Sequence, residues 1–176
     1  VPEFPGQTHN FFWREIRALT EMGVDVALLS TKRPATGLMS TSWGSEAVAR
    51  TTYLFPVLPA EWLGIFAELM CAGPAAWIRC VMSISIVQGL SIRHRLRMFG
   101  LVVIAAKLVR VSRIQGWCHV HVHSCADAAH VAMLAKLMGG PSYGLTLHNP
   151  LWVYGGNQRQ KWKNARYAIV ITKALD

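Results

Sequence analysis

The sequence predicts an α/β protein: a parallel sheet with helices on both faces, carrying a helical insert at about residues 59–115. Three observations predict it. After Gly116 short apolar strands alternate with helices of about three turns; an amphipathic helix at residues 8–22 leads directly into an apolar strand; and three strand ends carry polar residues. In an open parallel sheet ligands sit beyond the carboxyl ends of the strands, so polar residues at those ends mark a candidate site rather than a core.

The elements follow in order. Thr8 is the expected N-cap of the first helix and Gly23 its stop, with Phe12, Ile16 and Leu19 recurring on one face. Residues 24–30 read as a strand, 31–45 as a loop rich in Thr, Ser, Gly and Pro, and 52–55 as a short strand. Between residues 59 and 115 the pattern is helical, broken at Gly73-Pro74 and again at Gly89 and Ser91 into three helices. A strand at 119–123, a helix at 126–138, a strand at 142–147, a basic helix at 157–167 and a strand at 168–171 complete the series. Ser124 and Asp127 have capping-box spacing, and Gly139-Gly140-Pro141 is a helix stop.

With 176 residues, 52% of them hydrophobic and 15% charged, the chain has enough apolar surface for a core and reads as one domain, cut at both ends. Its charge of +9 favours anionic partners. Between Glu68 and Asp127 there is no carboxylate, whereas Arg79, Arg93, Arg95, Arg97, Lys107, Arg110 and Arg113 all fall there. Residues 77–115 are therefore the expected contact with an anionic membrane surface, the last helix of the insert lying against it. Nucleic acid is not an expected partner, because no basic module with interleaved aromatics is recognisable. No run reaches the roughly 18–20 apolar residues of a spanning helix. Cys71, Cys80, Cys118 and Cys125 lack metal or disulfide spacing and read as buried free thiols in a reducing compartment.

Four segments carry candidate chemistry. Gly6 stands where a strand hands over to a helix, where backbone N–H groups approach a phosphate; a plain chain-reversing turn accounts for it equally well. His119, His121 and His123 share one face of a strand, which admits structural histidines, one imidazole facing a site, or, last in order, a zinc site. His148 closes a strand before the Asn149-Pro150 turn, so its imidazole would stand at the sheet's carboxyl edge, able to exchange hydrogen bonds or a proton with a hydroxyl. Trp152 follows in a bordering loop.

These segments, "VPEFPGQTHNFFWREIRALTEMGVDVALLSTKRP" at residues 1–34 and the stretch from His119 to Thr172 that begins "HVHVHSCADAAHVAMLAKLMGGPSYGLTLHNP", resemble the N-terminal half of retaining glycosyltransferases of family four, group 1 type, of bacterial envelope and exopolysaccharide synthesis. The resemblance covers about half of the chain. It implies a Rossmann-like acceptor-side domain of a GT-B fold, whose donor-binding partner domain is absent, so that the chain alone is inactive. It implies no cofactor, with a nucleotide sugar as co-substrate and a glycan or lipid-linked acceptor. It places Gly6, Gln7 and Thr8 near the donor diphosphate, His123 and Asn149 at the binding cleft and His148 beside the reacting sugar, in a protein of the cytoplasmic face of the plasma membrane. Departures are a single glycine in the first turn and no family pattern over residues 52–116. Two rival readings are a metal-dependent hydrolase built on His119, His121 and His123, and a non-catalytic membrane-surface module.

Overall fold

The computed structural model describes residues 1–6, 9–34, 42–87 and 91–171. It is a mixed α/β structure with seven α-helices and two small parallel sheets among the described residues, in two compact units, 1–56 and 57–176. The first unit holds a parallel pair of strands and the second a parallel sheet of three.

In the first unit the backbone of Val1 and Pro2 accepts hydrogen bonds from Thr31 and Lys32, so the chain starts as a strand stub parallel to β1 (Leu28–Lys32). β1 pairs in turn with β2 (Thr51–Phe55). Helix α1 (Asn10–Glu21) follows the stub, with His9 at its N-cap; Thr8, the predicted cap, lies outside the described residues. Gly23, at φ +82°, ends the helix as the sequence predicts, since a residue with a side chain is strained there. Two predicted boundaries move. The strand starts at Leu28 rather than Val24, and helix α2 (Gly44–Arg50) begins in the last two residues of the predicted loop and fills the stretch before β2. The core of this unit is Phe4, Phe12, Trp13, Leu28 and Ala47, with Trp43 stacked on Trp13 at 5.3 Å.

The second unit opens with three helices where three are predicted: α3 (Trp62–Cys71), α4 (Gly73–Ser85) and α5 (Ile92–Gln115). They are followed by β3 (His119–Val122), α6 (Asp127–Leu137), β4 (Ser142–Leu147), α7 (Gln158–Asn164) and β5 (Tyr167–Val170). The strand order is β3-β4-β5, all parallel. Val122, Tyr143, Leu145 and Leu147 are buried on one face, α6 packs on β3 and β4, and α5 runs along α6. Helix α5 is the hub of the unit. It buries Met98, Val102, Ala105, Ala106, Leu108 and Val109 and also packs against α3 and α4, while its first turns expose Ile92, Leu96 and Phe99.

Two ion pairs tie α3 to this hub: Lys107 Nζ to Glu61 at 2.7 Å and Arg113 to Glu68 at 2.6 Å. The Ser124–Asp127 capping box does not form. Ser124 Oγ accepts from the Ala126 N–H, and Asp127 instead pairs with Arg97. Helix α7 is shorter than predicted and releases Tyr167 into β5. Two of the four cysteines expected to be buried, Cys71 and Cys118, are exposed.

A pair of glycines tests this packing. A Cβ at Gly140 would lie 2.8 Å from the Ala135 carbonyl oxygen and 2.8 Å from Val109, whereas one at Gly100, inside α5, meets nothing within 4 Å. Gly140→Ala should therefore lower stability by about 1–3 kcal/mol, and Gly100→Ala should raise it by up to about 1 kcal/mol through helix propensity. Urea unfolding of both variants checks the pair, and equal effects would contradict the packing described.

Candidate functional site

The register of the second sheet builds the site. His119 stands opposite Ser142, and His121 opposite Gly144, which stands opposite Tyr167. Alternation along each strand then puts His119, His121, Ser142, Gly144, Thr146 and Tyr167 on one face, with the apolar core on the other. The polar face is partly open, Tyr167 being 43% exposed and Ile169 48%.

Gly144 is essential to this face. A Cβ there would fall 2.5 Å from the Tyr167 ring, so only glycine lets the ring lie across the middle strand. From that position the phenol hydroxyl reaches His119 Nε2 at 3.2 Å and His121 Nδ1 at 3.1 Å, and both imidazoles stack nearly parallel to the ring. His119 Nδ1 lies 2.9 Å from Ser142 Oγ, and His121 Nε2 lies 2.7 Å from Thr146 Oγ1.

Proton bookkeeping gives this chain a direction. Ser142 Oγ donates to the Cys118 carbonyl at 3.1 Å, so it accepts from His119, whose proton is then on Nδ1. A neutral His119 must accept the Tyr167 proton at Nε2. Tyr167 oxygen accepts from His121 Nδ1–H, and His121 Nε2 accepts from Thr146. Each hydroxyl and each imidazole donates once along the row. Burial is the largest cause holding both histidines below the ordinary imidazole range; Arg166 adds to it at His119, and the His119 ring adds to it at His121.

Beside the row, His121 meets the ring of His123 edge to face at 4.6 Å, at the carboxyl edge of the sheet where the sequence pointed. His123 follows β3 and His148 follows β4, and His123 Nδ1 lies 3.3 Å from His148 Nε2 with the rings stacked at 5.5 Å. Burial, reinforced by the neighbouring His121, pushes His123 down to about 3, and burial also lowers His148. Both are neutral at physiological pH. The His148 N–H donates to the Tyr154 hydroxyl at 3.1 Å, fixing the 3-10 turn Leu151–Tyr154 beside it. Asn149 is exposed, and Trp152 is 82% exposed on that turn.

Below this edge a polar anchor holds the loop between β3 and α6. Lys161 of α7 is fully buried and donates its ammonium to the Cys125 carbonyl, while Tyr143 donates to the Lys161 carbonyl at 2.5 Å. Burial lowers the Lys161 pKa to about 8.

The remaining predicted site residues divide. Gly6 belongs to the first unit, where its carbonyl accepts from the His9 N–H at 3.0 Å and a Cβ would fall 3.0 Å from the His9 ring; this accounts for the glycine as a turn residue. Gln7 and Thr8 lie outside the described residues. The zinc reading is not supported: among the described residues no three His, Cys, Asp or Glu converge on a common point, and both nitrogens of His119 and of His121 face hydroxyl partners. Sequence reasoning missed Thr146, Tyr154 and Tyr167. Thr146 was recoverable, because it lies two residues before His148 on the same face.

Two outcomes follow. Tyr167→Phe should cost about 1 kcal/mol by removing the hydroxyl between the two histidines, Gly144→Ala about as much, and the double variant no more than the larger single, since both break one contact; additive urea-unfolding costs would disprove the coupling. The neutral histidines make stability depend on acid. The unfolded chain binds protons near the ordinary value of 6.5 while His123 resists down to about 3, so stability is full above 6.5 and falls as pH drops through that window. Urea midpoints between about pH 7.5 and about pH 5 should show the fall, and His123→Gln should flatten it.

Compared with known proteins, the chain matches no family model, no curated protein and no solved structure.

Proposed function

We propose that the chain is the acceptor-side domain of a retaining glycosyltransferase, moving a glycosyl unit from a nucleotide sugar to a glycan or lipid-linked acceptor. In this reading a separate donor-binding domain completes the enzyme. The observation that carries it is the His123–His148 contact at the carboxyl edge of adjacent parallel strands, between two imidazoles kept neutral by burial.

Neutral imidazoles suit a sugar. Each presents one N–H and one lone pair, the complement of a hydroxyl that both donates and accepts, and neither adds a fixed charge for which a neutral sugar has no partner. His148 orients or hydrogen-bonds the reacting sugars, with Asn149 and the exposed Trp152 beside it as a polar group and an apolar platform. Negative charge building on the leaving diphosphate needs donors, which the donor-binding domain would supply.

Binding tests the reading directly. Titration with nucleotide sugars and short oligosaccharides, followed by imidazole NMR resonances, should shift His123 and His148 before His130, which lies within α6. His148→Ala should weaken binding at least tenfold, corresponding to about 1.4 kcal/mol for a lost hydrogen bond. In an enzyme joining this chain to a donor-binding domain, His148→Ala with an unchanged transfer rate would remove the role assigned to it.

A further inference from the structure

We infer that α3 and α4 form an interfacial docking surface for an anionic lipid bilayer, lying in the headgroup region rather than crossing it. The inference stands apart from the transferase reading and rests on different residues.

Each helix has two apolar faces, and only one is used by the fold. In α3, Ile65 is buried toward α5 while Trp62, Leu63, Phe66 and Met70 are 50–81% exposed. In α4, Ala76, Cys80 and Ile84 are buried, whereas Trp77, Ile78, Val81 and Met82 are 40–58% exposed. A helix that is apolar all round belongs in a core or in contact with lipid. Eight large apolar side chains on two consecutive helices also exceed the scattered exposure normal for a water-facing surface.

Length and shape set the mode of contact. Among the described residues no single helix is long and apolar enough to cross a membrane, and the two helices are bent by 95° at their junction. An elbow with apolar outer faces fits the interface, where helices lie in the plane with their apolar side among the acyl chains.

Charge identifies the partner. Residues 57–115 hold two carboxylates, Glu61 and Glu68, and both are paired inward with Lys107 and Arg113 of α5. Nothing acidic in this stretch is left to repel an anionic surface. Arg95 donates to the Ser85 and Val87 carbonyls, which places its guanidinium at the end of α4, with exposed Arg93 two residues earlier. The Arg110 guanidinium lies against Gly64 of α3. Basic groups therefore flank the apolar faces, an arrangement complementary to phospholipid headgroups and less suited to a second copy of the same basic chain.

The test is flotation of the chain with phosphatidylcholine vesicles, with and without phosphatidylglycerol. The native chain should float with the anionic vesicles and be released by salt. Leu63→Asp with Met82→Asp, at positions 81% and 58% exposed where the fold tolerates change, should reduce bound protein by about tenfold or more with an unaltered circular dichroism spectrum. Arg93→Glu should weaken binding to anionic vesicles only. Quenching by brominated lipid should fall when Trp62 and Trp77 are both changed to Phe. Failure of the native chain to float, undiminished flotation of the Leu63 and Met82 variant, or a lipid-free dimer abolished by that variant would each overturn the inference.

Discussion

The constraint on which the candidate site depends is the space above Gly144. Because the middle strand of the second sheet lacks a side chain at that one position, Tyr167 of the neighbouring strand lies flat on the sheet and its hydroxyl meets two histidines of the strand beyond. That single placement links three strands by side chains as well as by backbone. It also explains how a strand bearing alternate histidines tolerates partial burial: every nitrogen of His119 and His121 has a partner, so neither ring needs a proton from solvent to be satisfied.

The helical part of the second unit is organised on a different principle. Its central helix is mostly apolar, yet it sends Lys107 to Glu61, the N-cap of α3, and Arg113 to Glu68 within α3. Lys107 is nearly buried, and desolvation removes much of what such a pair gains by attraction, so the pair fixes the angle and register of α3 more than it stabilises the fold. The consequence reaches the surface. With its acids turned inward, α3 presents an uncharged apolar outer face.

Legibility in the sequence followed the locality of each signal. Helices bounded by glycine, and strands such as Ser142–Leu147 with clear apolar runs, were readable because turn chemistry and periodicity act within a few residues. The placement of His148 at a strand end was readable for the same reason. What escaped depends on contacts distant in sequence: the burial of α5, read as a lipid-facing helix because its pattern mixes apolar and basic residues, is decided by α3 and α6 packing on it. Tyr167 escaped because its role depends on a glycine 23 positions away, and periodicity within its own segment says nothing of that.

Polarity along the histidine row separates its two ends chemically. At the amino end, Ser142 delivers its proton to a backbone carbonyl, so the chain terminates in a fixed acceptor and that end is structural. At the carboxyl end, His123 and His148 adjoin each other, beside the turn that carries the exposed Trp152. The ordered row constrains His123 by the packing of the His121 ring against it at 4.6 Å, without charging it. In the proposed transferase such an edge would discriminate by the direction of hydrogen bonds, favouring a ligand rich in hydroxyls over one recognised chiefly by charge.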